Sequence, residues 1–317
     1  GNKLGDYFKY DPEKEKISPL LPEDSQFRDF PVEMIYKKRD SAMMIIYSGW
    51  LKDKRYLLLD IGAKKAKIRE ITELFPARPL YIDWDTDNEK TIFCFYKNYI
   101  NRLDLEPENL YFKYKRDIIG FGLHKEKIYY IDNKSDIFQS SHGSQKDKKL
   151  FSDTELSREL FNANARYRIE FLKDNIILFI SGKGRLLTNQ PPYQILEKGL
   201  VDTQFQESRD SLLYWTRHEI GVADFFIENK DRALIDYAVK TQIIYDKGED
   251  IEQCFWAGDK THIVIKDSNR VYIIELELQG APHINQAAEV MKNTKVFYSA
   301  ETGYLYYLDN EKGLLKG

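Results

Sequence analysis

Ile176-Ile177-Leu178-Phe179-Ile180, entered through the polar turn Lys173-Asp174-Asn175, is apolar at every position. A strand with one wet face alternates apolar and polar residues, so a run like this must be covered on both faces. Parallel α/β sheets bury strands that way, and so do the blades of a β-propeller. Parallel sheets need a crossover helix between successive strands, and only two segments of the chain read as helices. Residues 152–165 open with a Ser-x-x-Glu capping box at Ser152 and Glu155. Residues 284–292 form a short second candidate. Both fall between strand groups, as insertions.

The same pattern recurs along the chain, at 43–47, 92–96, 128–131, 212–215, 262–265 and 304–308. Taking Met44, Ile92, Ile128, Ile176, Leu213, His262 and Leu305 as markers, the steps are 48, 36, 48, 37, 49 and 43 residues, the length of a four-stranded blade. Each segment follows a polar turn, such as Asp87-Asn88-Glu89-Lys90 or Gly258-Asp259-Lys260. Most lead through a second turn, such as Lys97-Asn98, into another strand. Turn residues between β-formers at this spacing mark hairpins. Gln194-Ile195-Leu196-Glu197-Lys198-Gly199 and Gln242-Ile243-Ile244-Tyr245-Asp246-Lys247-Gly248 are the best internal match.

The expected fold is therefore all-β: one domain over residues 1–317, a β-propeller of seven four-stranded blades, with six or eight as alternatives. Residues 7–11 and 17–20 read as two outer strands, and 295–299 with 304–308 as two inner ones. Pairing of residues 1–20 with 294–317 would close the ring and remove its free edge.

Composition narrows the function classes. Apolar residues make up 42% and charged residues 31%, and no apolar run approaches the roughly 18 residues of a membrane span. The net charge of −3, with signs mixed along the chain, argues against nucleic acid as the main partner. Lys146-Asp147-Lys148-Lys149 reads as a solvated loop. Cys94 and Cys254 lie in apolar strands and read as buried thiols, not a disulfide framework. The opening residues are not expected to be a signal peptide; the chain starts at Gly1-Asn2 without Met, as an excised segment would, which leaves room for a removed N-terminal anchor. A monomeric domain is expected.

Trp84-Asp85-Thr86-Asp87-Asn88-Glu89-Lys90-Thr91-Ile92-Phe93 resembles the TolB-type propeller repeat, whose turn reads Trp-Ser-Pro-Asp-Gly-Lys; Pro and Gly are missing from this copy. Ser208-Arg209-Asp210-Ser211-Leu212-Leu213-Tyr214 and Gly258-Asp259-Lys260-Thr261-His262-Ile263 are looser versions. The overall style is similar to propeller regions of bacterial envelope proteins that follow a membrane helix and a PEGA domain. The resemblance implies a non-catalytic binding or scaffolding propeller that recognises a protein or cell-wall partner. It also implies a place outside the cytoplasm, in the periplasm or on the cell surface. The alternative is a hydrolase of polysaccharide or peptide, with paired carboxylates in the central funnel.

Motifs of catalysis do not appear. His124, His142, His218, His262 and His283 are scattered, and there is no Gly-x-Ser-x-Gly elbow. Ser181-Gly182-Lys183-Gly184 is too short for a phosphate loop and serves as a hairpin turn. No cofactor or catalytic residue is assigned. Asp83-x-Asp85-x-Asp87-Asn88 resembles the start of a calcium loop, but Asn88 stands where Gly is needed and Cys94 where a bidentate Glu is needed. The expected role of Asp83, Asp85 and Asp87 is a polar turn. The 22 Tyr, 18 Phe and 4 Trp are explained by strand propensity and blade packing, with a few left for display on one face.

Overall fold

The computed structural model describes residues 8–11, 16–19, 32–37, 41, 43–50, 53–62, 67–85, 88–141, 147–151, 153–162, 165–229, 236–258, 261–276, 282–292, 294–299, 303–310 and 315–316. The chain forms two compact units, residues 1–152 and 153–317.

In the first unit β1 (Phe8–Asp11) pairs with β2 (Lys16–Pro19). An antiparallel meander follows: β3 (Val32–Lys37), β4 (Met43–Trp50), β5 (Asp53–Asp60) and β6 (Lys67–Glu70). A second comprises β7 (Tyr81–Trp84), β8 (Thr91–Phe95), β9 (Tyr99–Leu105) and β10 (Glu108–Arg116). β11 (Ile118–His124), β12 (Lys127–Asp132), β13 (Ile137–Ser141) and β14 (Lys148–Phe151) pair in the same serial way.

The second unit starts with α1 (Thr154–Asn162), followed by β15 (Tyr167–Lys173), β16 (Ile176–Ser181), β17 (Leu186–Thr188) and β18 (Gln194–Leu196). Two more meanders are β19 (Asp202–Gln206), β20 (Ser211–Trp215), β21 (Ile220–Asn229) and β22 (Asp236–Tyr245), then β23 (Ile251–Trp256), β24 (His262–Asp267), β25 (Arg270–Glu275) and β26 (His283–Glu289). β27 (Phe297–Tyr298), β28 (Leu305–Leu308) and β29 (Leu315–Lys316) end the chain as a three-stranded sheet.

The doubly covered strands behave as their composition demands. Every residue of β8 is buried. Ile92 and Cys94 enter a core with Tyr47, Leu58 and Trp84, while Phe93 and Phe95 enter a second core with Phe121 and Ile128. β20 divides likewise: Leu212 and Tyr214 face Ile176 and Leu178, and Leu213 and Trp215 face Ile251 and Cys254. Burying a side chain of this size contributes about 2 kcal/mol. Gly221 lies opposite Tyr214 in the β20–β21 ladder, and a Cβ there would fall 2.2 Å from the ring carbon Cζ, so the phenol lies across the glycine.

Among the described residues one charge is fully buried. Lys266 of β24 has no exposed side-chain surface; its ammonium donates to Glu252 Oε2 at 2.6 Å and to the Ser268 carbonyl at 2.8 Å. Both cysteines are buried and unpaired by disulfide, and burial pushes both thiols up, which makes them unreactive.

The structure corrects two expectations. Residues 284–292 are not helical: they supply most of β26, in register with β25 from Glu275–His283 to Arg270–Glu289. The Ala287-Ala288-Glu289 stretch favours a helix, but so short a segment is marginal alone, whereas β25 offers a ladder along its length. The second correction concerns the expected helix at 152–165. It runs over Thr154–Asn162 and its cap is Asp153; Ser152, the expected cap, lies outside the described residues. Asp153 Oδ1 accepts the Glu155 and Leu156 N–H groups, both at 2.9 Å, and Oδ2 accepts the Tyr193 hydroxyl at 2.9 Å. Leu156 and Leu160 are buried beneath the helix. Arg185 ties down its last turn by pairing with Glu159 and donating to the Glu159 carbonyl at 2.6 Å. Among the described residues no helix is long and apolar enough to cross a membrane.

Burial pushes the Asp153 carboxyl up, but the Leu156 N–H, Tyr193 hydroxyl and Glu155 N–H outweigh it and hold the group below the usual carboxylate range. A depressed folded-state value contributes stability above the unfolded value, and that stability is lost as pH falls through the folded one. Asp153→Ala should therefore cost about 1 kcal/mol at pH 7. The gap between variant and parent should shrink steadily below about pH 4. Urea denaturation at pH 7 and at pH 3 measures both; an equal gap at the two pH values would rule out the carboxylate cap.

Candidate functional site

The turn that resembles the start of a calcium loop is a folded polar network. Trp84 Nε1 donates to the Tyr36 carbonyl at 3.1 Å, which fixes the end of β7 against β3. Asp85 is buried; its N–H donates to the Thr91 carbonyl at 3.0 Å, and its Oδ1 accepts the Asn88 N–H at 3.2 Å. Asn88 Oδ1 accepts the Lys90 N–H and Nδ2 donates to Thr91 Oγ1, each at 2.9 Å. Thr91 Oγ1 donates onward to Asp104 Oδ1 at 2.8 Å. Asp83 sits in β7 opposite Phe93, and Asp87 lies outside the described residues. Among the described residues no group of three or more His, Cys, Asp and Glu is placed to hold a metal ion.

Asp104 passes the network to the surface. It accepts Arg102 Nε at 3.1 Å, and the Arg102 guanidinium lies 5.0 Å from the ring centroid of Tyr111 on β10. The β9–β10 ladder is regular from Glu108–Leu105 to Tyr111–Arg102 and resumes at Lys115–Ile100. Phe112, Lys113 and Tyr114 therefore span what Asn101 spans alone, a bulge that re-aims the strand. Asn101 is fully buried, and its Oδ1 accepts the Lys113 N–H at 2.8 Å, with Lys113 held at φ 51°.

The end of the regular ladder and the first residue of the bulge are exposed to solvent. Leu110, Tyr111 and Phe112 are 37%, 40% and 53% exposed, the longest run of exposed large apolar residues among the described residues. The Lys113 ammonium lies 5.6 Å from the Tyr99 ring and 5.2 Å from Phe112, and Tyr99 stacks on Tyr96 at 4.9 Å. Lys115 is committed to Asp147 at 2.6 Å and to Ser140 at 3.1 Å. Lys113 and Arg116 form no ion pair among the described residues. The result is an aromatic and basic margin on the outermost strand of this meander.

The second unit holds a carboxylate pair on the leading strands of two sheets, Glu170 on β15 and Asp202 on β19. Burial raises the Glu170 carboxyl, the Arg168 guanidinium lowers it, and the Asp202 charge raises it; the net shift is upward. Arg168 Nη2 lies 2.6 Å from Glu170 Oε1. Among the described residues the histidines are not brought together as a group. His124 ends β11, His218 meets the Gly248 carbonyl at 3.0 Å, and His142 lies outside the described residues. His262 and His283 do flank Glu275 across β24, β25 and β26, an alignment that register alone creates.

No protein-family model matches the chain, and no curated protein matches it in sequence. Solved structures do. The β-propeller domain of Cps50 (Swd1) from Myceliophteria thermophila is 12% identical with a TM-score of 0.51, covering 90% of this chain and 95% of that one. Hsv2 of Kluyveromyces lactis is 11% identical with a TM-score of 0.53, covering 90% and 92%. At these identities the likeness establishes the fold alone, and the fold is an all-β propeller.

Because Asp85 is spent on the turn, added calcium has too few oxygens to gather at this site. Thermal melts in calcium and in chelator should share one midpoint. A calcium-dependent rise abolished by Asp85→Ala would overturn that expectation.

Proposed function

We propose that this propeller is a non-catalytic binding module, with the β9–β10 margin as its recognition surface. One observation carries the reading: Leu110, Tyr111 and Phe112 are exposed in succession beside Lys113 and Arg116, two cations with no ion-pair partner among the described residues. Exposed aromatics beside unpaired cations are the composition of binding hot spots. The TolB-type turn at 84–93 supports a protein or cell-envelope partner met outside the cytoplasm. The hydrolase alternative would rest on Glu170 and Asp202. Glu170 is already paired with Arg168 at 2.6 Å, and no further group faces the two carboxyls as a substrate platform among the described residues, so the binding reading is the better supported.

A photoreactive phenylalanine placed at Phe112 tests the surface. In cells it should give a discrete cross-linked adduct that Lys113→Glu removes, while the same probe at Phe226 gives none. Equal cross-linking from both positions would defeat the assignment.

We also propose that the propeller is one domain of seven blades, closed by pairing residues 1–20 with 294–317. The support is that β1–β2 and β27–β29 are each less than a four-stranded blade, and an open ring would leave strand edges unpaired. Deleting residues 1–20 should lower the melting temperature sharply and promote aggregation. A monomeric deletion variant with an unchanged melt would show that the ring closes some other way.

A further inference from the structure

The outer strands of this protein are not equally protected against pairing with a foreign strand. Charges, shortness and covering loops are the usual devices. β6 reads Lys67-Ile68-Arg69-Glu70, β14 begins Lys148-Lys149, and β18 is three residues long. The first half of β22 is covered, with Tyr237 N–H donating to Gln190 Oε1 at 3.2 Å and Val239 N–H to the Pro191 carbonyl at 3.0 Å. β10 is different. It is an edge strand of nine residues with no charge between Glu108 and Lys113. Its regular part ends at Tyr111, and only beyond that do the bulge and the cations begin.

From this asymmetry we propose that β10 takes up an extended peptide as an added strand. The apolar part of the peptide pairs along Glu108 to Tyr111, and an acidic end lies beside Lys113 and Arg116. The inference rests on the binding reading above and specifies its ligand. Backbone hydrogen bonds to the open edge supply affinity, and the exposed side chains on alternate faces supply selectivity. The bulge stops pairing after Tyr111 and so fixes the register. Charge selects the partner: Glu108 is paired with Arg69 and Lys115 with Asp147, which leaves Lys113 and Arg116 as the charges that face an arriving chain.

The probe is a synthetic peptide, Thr-Val-Thr-Val-Thr-Asp-Glu-Asp, titrated into the intact chain and read by fluorescence anisotropy. Saturable binding is expected, at least tenfold tighter than for the same peptide ending in three lysines. Lys113→Glu should weaken it at least tenfold. Two further peptides carry backbone N-methyl groups on alternate residues of the Thr-Val stretch, one in each phase. One phase should lose at least tenfold in affinity and the other little, because only one row of N–H groups meets β10. If both methylated peptides bind like the parent, strand addition is wrong while the surface assignment stands. If neither peptide charge nor Lys113→Glu matters, or if no peptide saturates while vesicles of anionic phospholipid bind, both the ligand and the surface are wrong.

Discussion

A strand that is dry on both faces creates a problem that hydrophobicity cannot solve. In β8 the residues at 92 and 94 face one core and those at 93 and 95 another, and all four are apolar. Slipping such a strand by one residue would exchange the two sets without putting a polar group into oil. In a half-wet sheet the same slip is prohibitive, because it turns the whole apolar face to water. Register here must be set by something else, and polar turns do it. Asp85, Asn88 and Thr91 fix where β8 begins, and the Trp84 indole fixes the end of β7 on the Tyr36 carbonyl. Lys266 acts similarly in β24: sliding it would strand a buried ammonium away from Glu252 and the Ser268 carbonyl, a cost of several kcal/mol.

The same turn chemistry reaches the surface. Thr91 and Arg102 share Asp104 as acceptor, and Arg102 lies against Tyr111. A side chain at the margin is thereby placed by a network that starts beside the core, so the exposed aromatic patch is anchored and not merely left over. Asn101 serves the other half of the margin, since its buried carbonyl oxygen holds the Lys113 N–H and with it the bulge.

How much of this the sequence revealed follows from which forces leave a local trace. Apolar runs between polar turns are local, so the hairpins and the propeller fold could be read. Register leaves no such trace: the missing Gly and Glu already mark Asp83, Asp85 and Asp87 as a polar turn, but the partners that hold Asp85 there, the Thr91 carbonyl and the Asn88 N–H, show only in the ladder. The bulge was also hidden, because its left-handed residue is Lys113 and not the glycine that usually announces one. Residues 284–292 carried a helix-favouring Ala-Ala-Glu stretch and were claimed by the edge of β25, a partner far enough away that local propensity says nothing of it. Asp153, which caps α1, has its second carboxylate oxygen held by the Tyr193 hydroxyl, forty residues on, a partner that local sequence does not announce.

The β9–β10 margin combines two requirements that usually oppose each other. Exposed leucine and aromatic residues on an open edge invite self-association. Yet the cations that follow them belong to every copy of the chain, so two margins brought together in parallel register add like charges, a repulsion that weakens homotypic pairing. An acidic segment meets the opposite balance. Lys113 also shades the Tyr99 and Phe112 rings by cation–π contact, which lowers the cost of leaving them at the surface. On the proposed binding mode, an acidic group that drew the ammonium away would uncover the two rings for packing against the added strand.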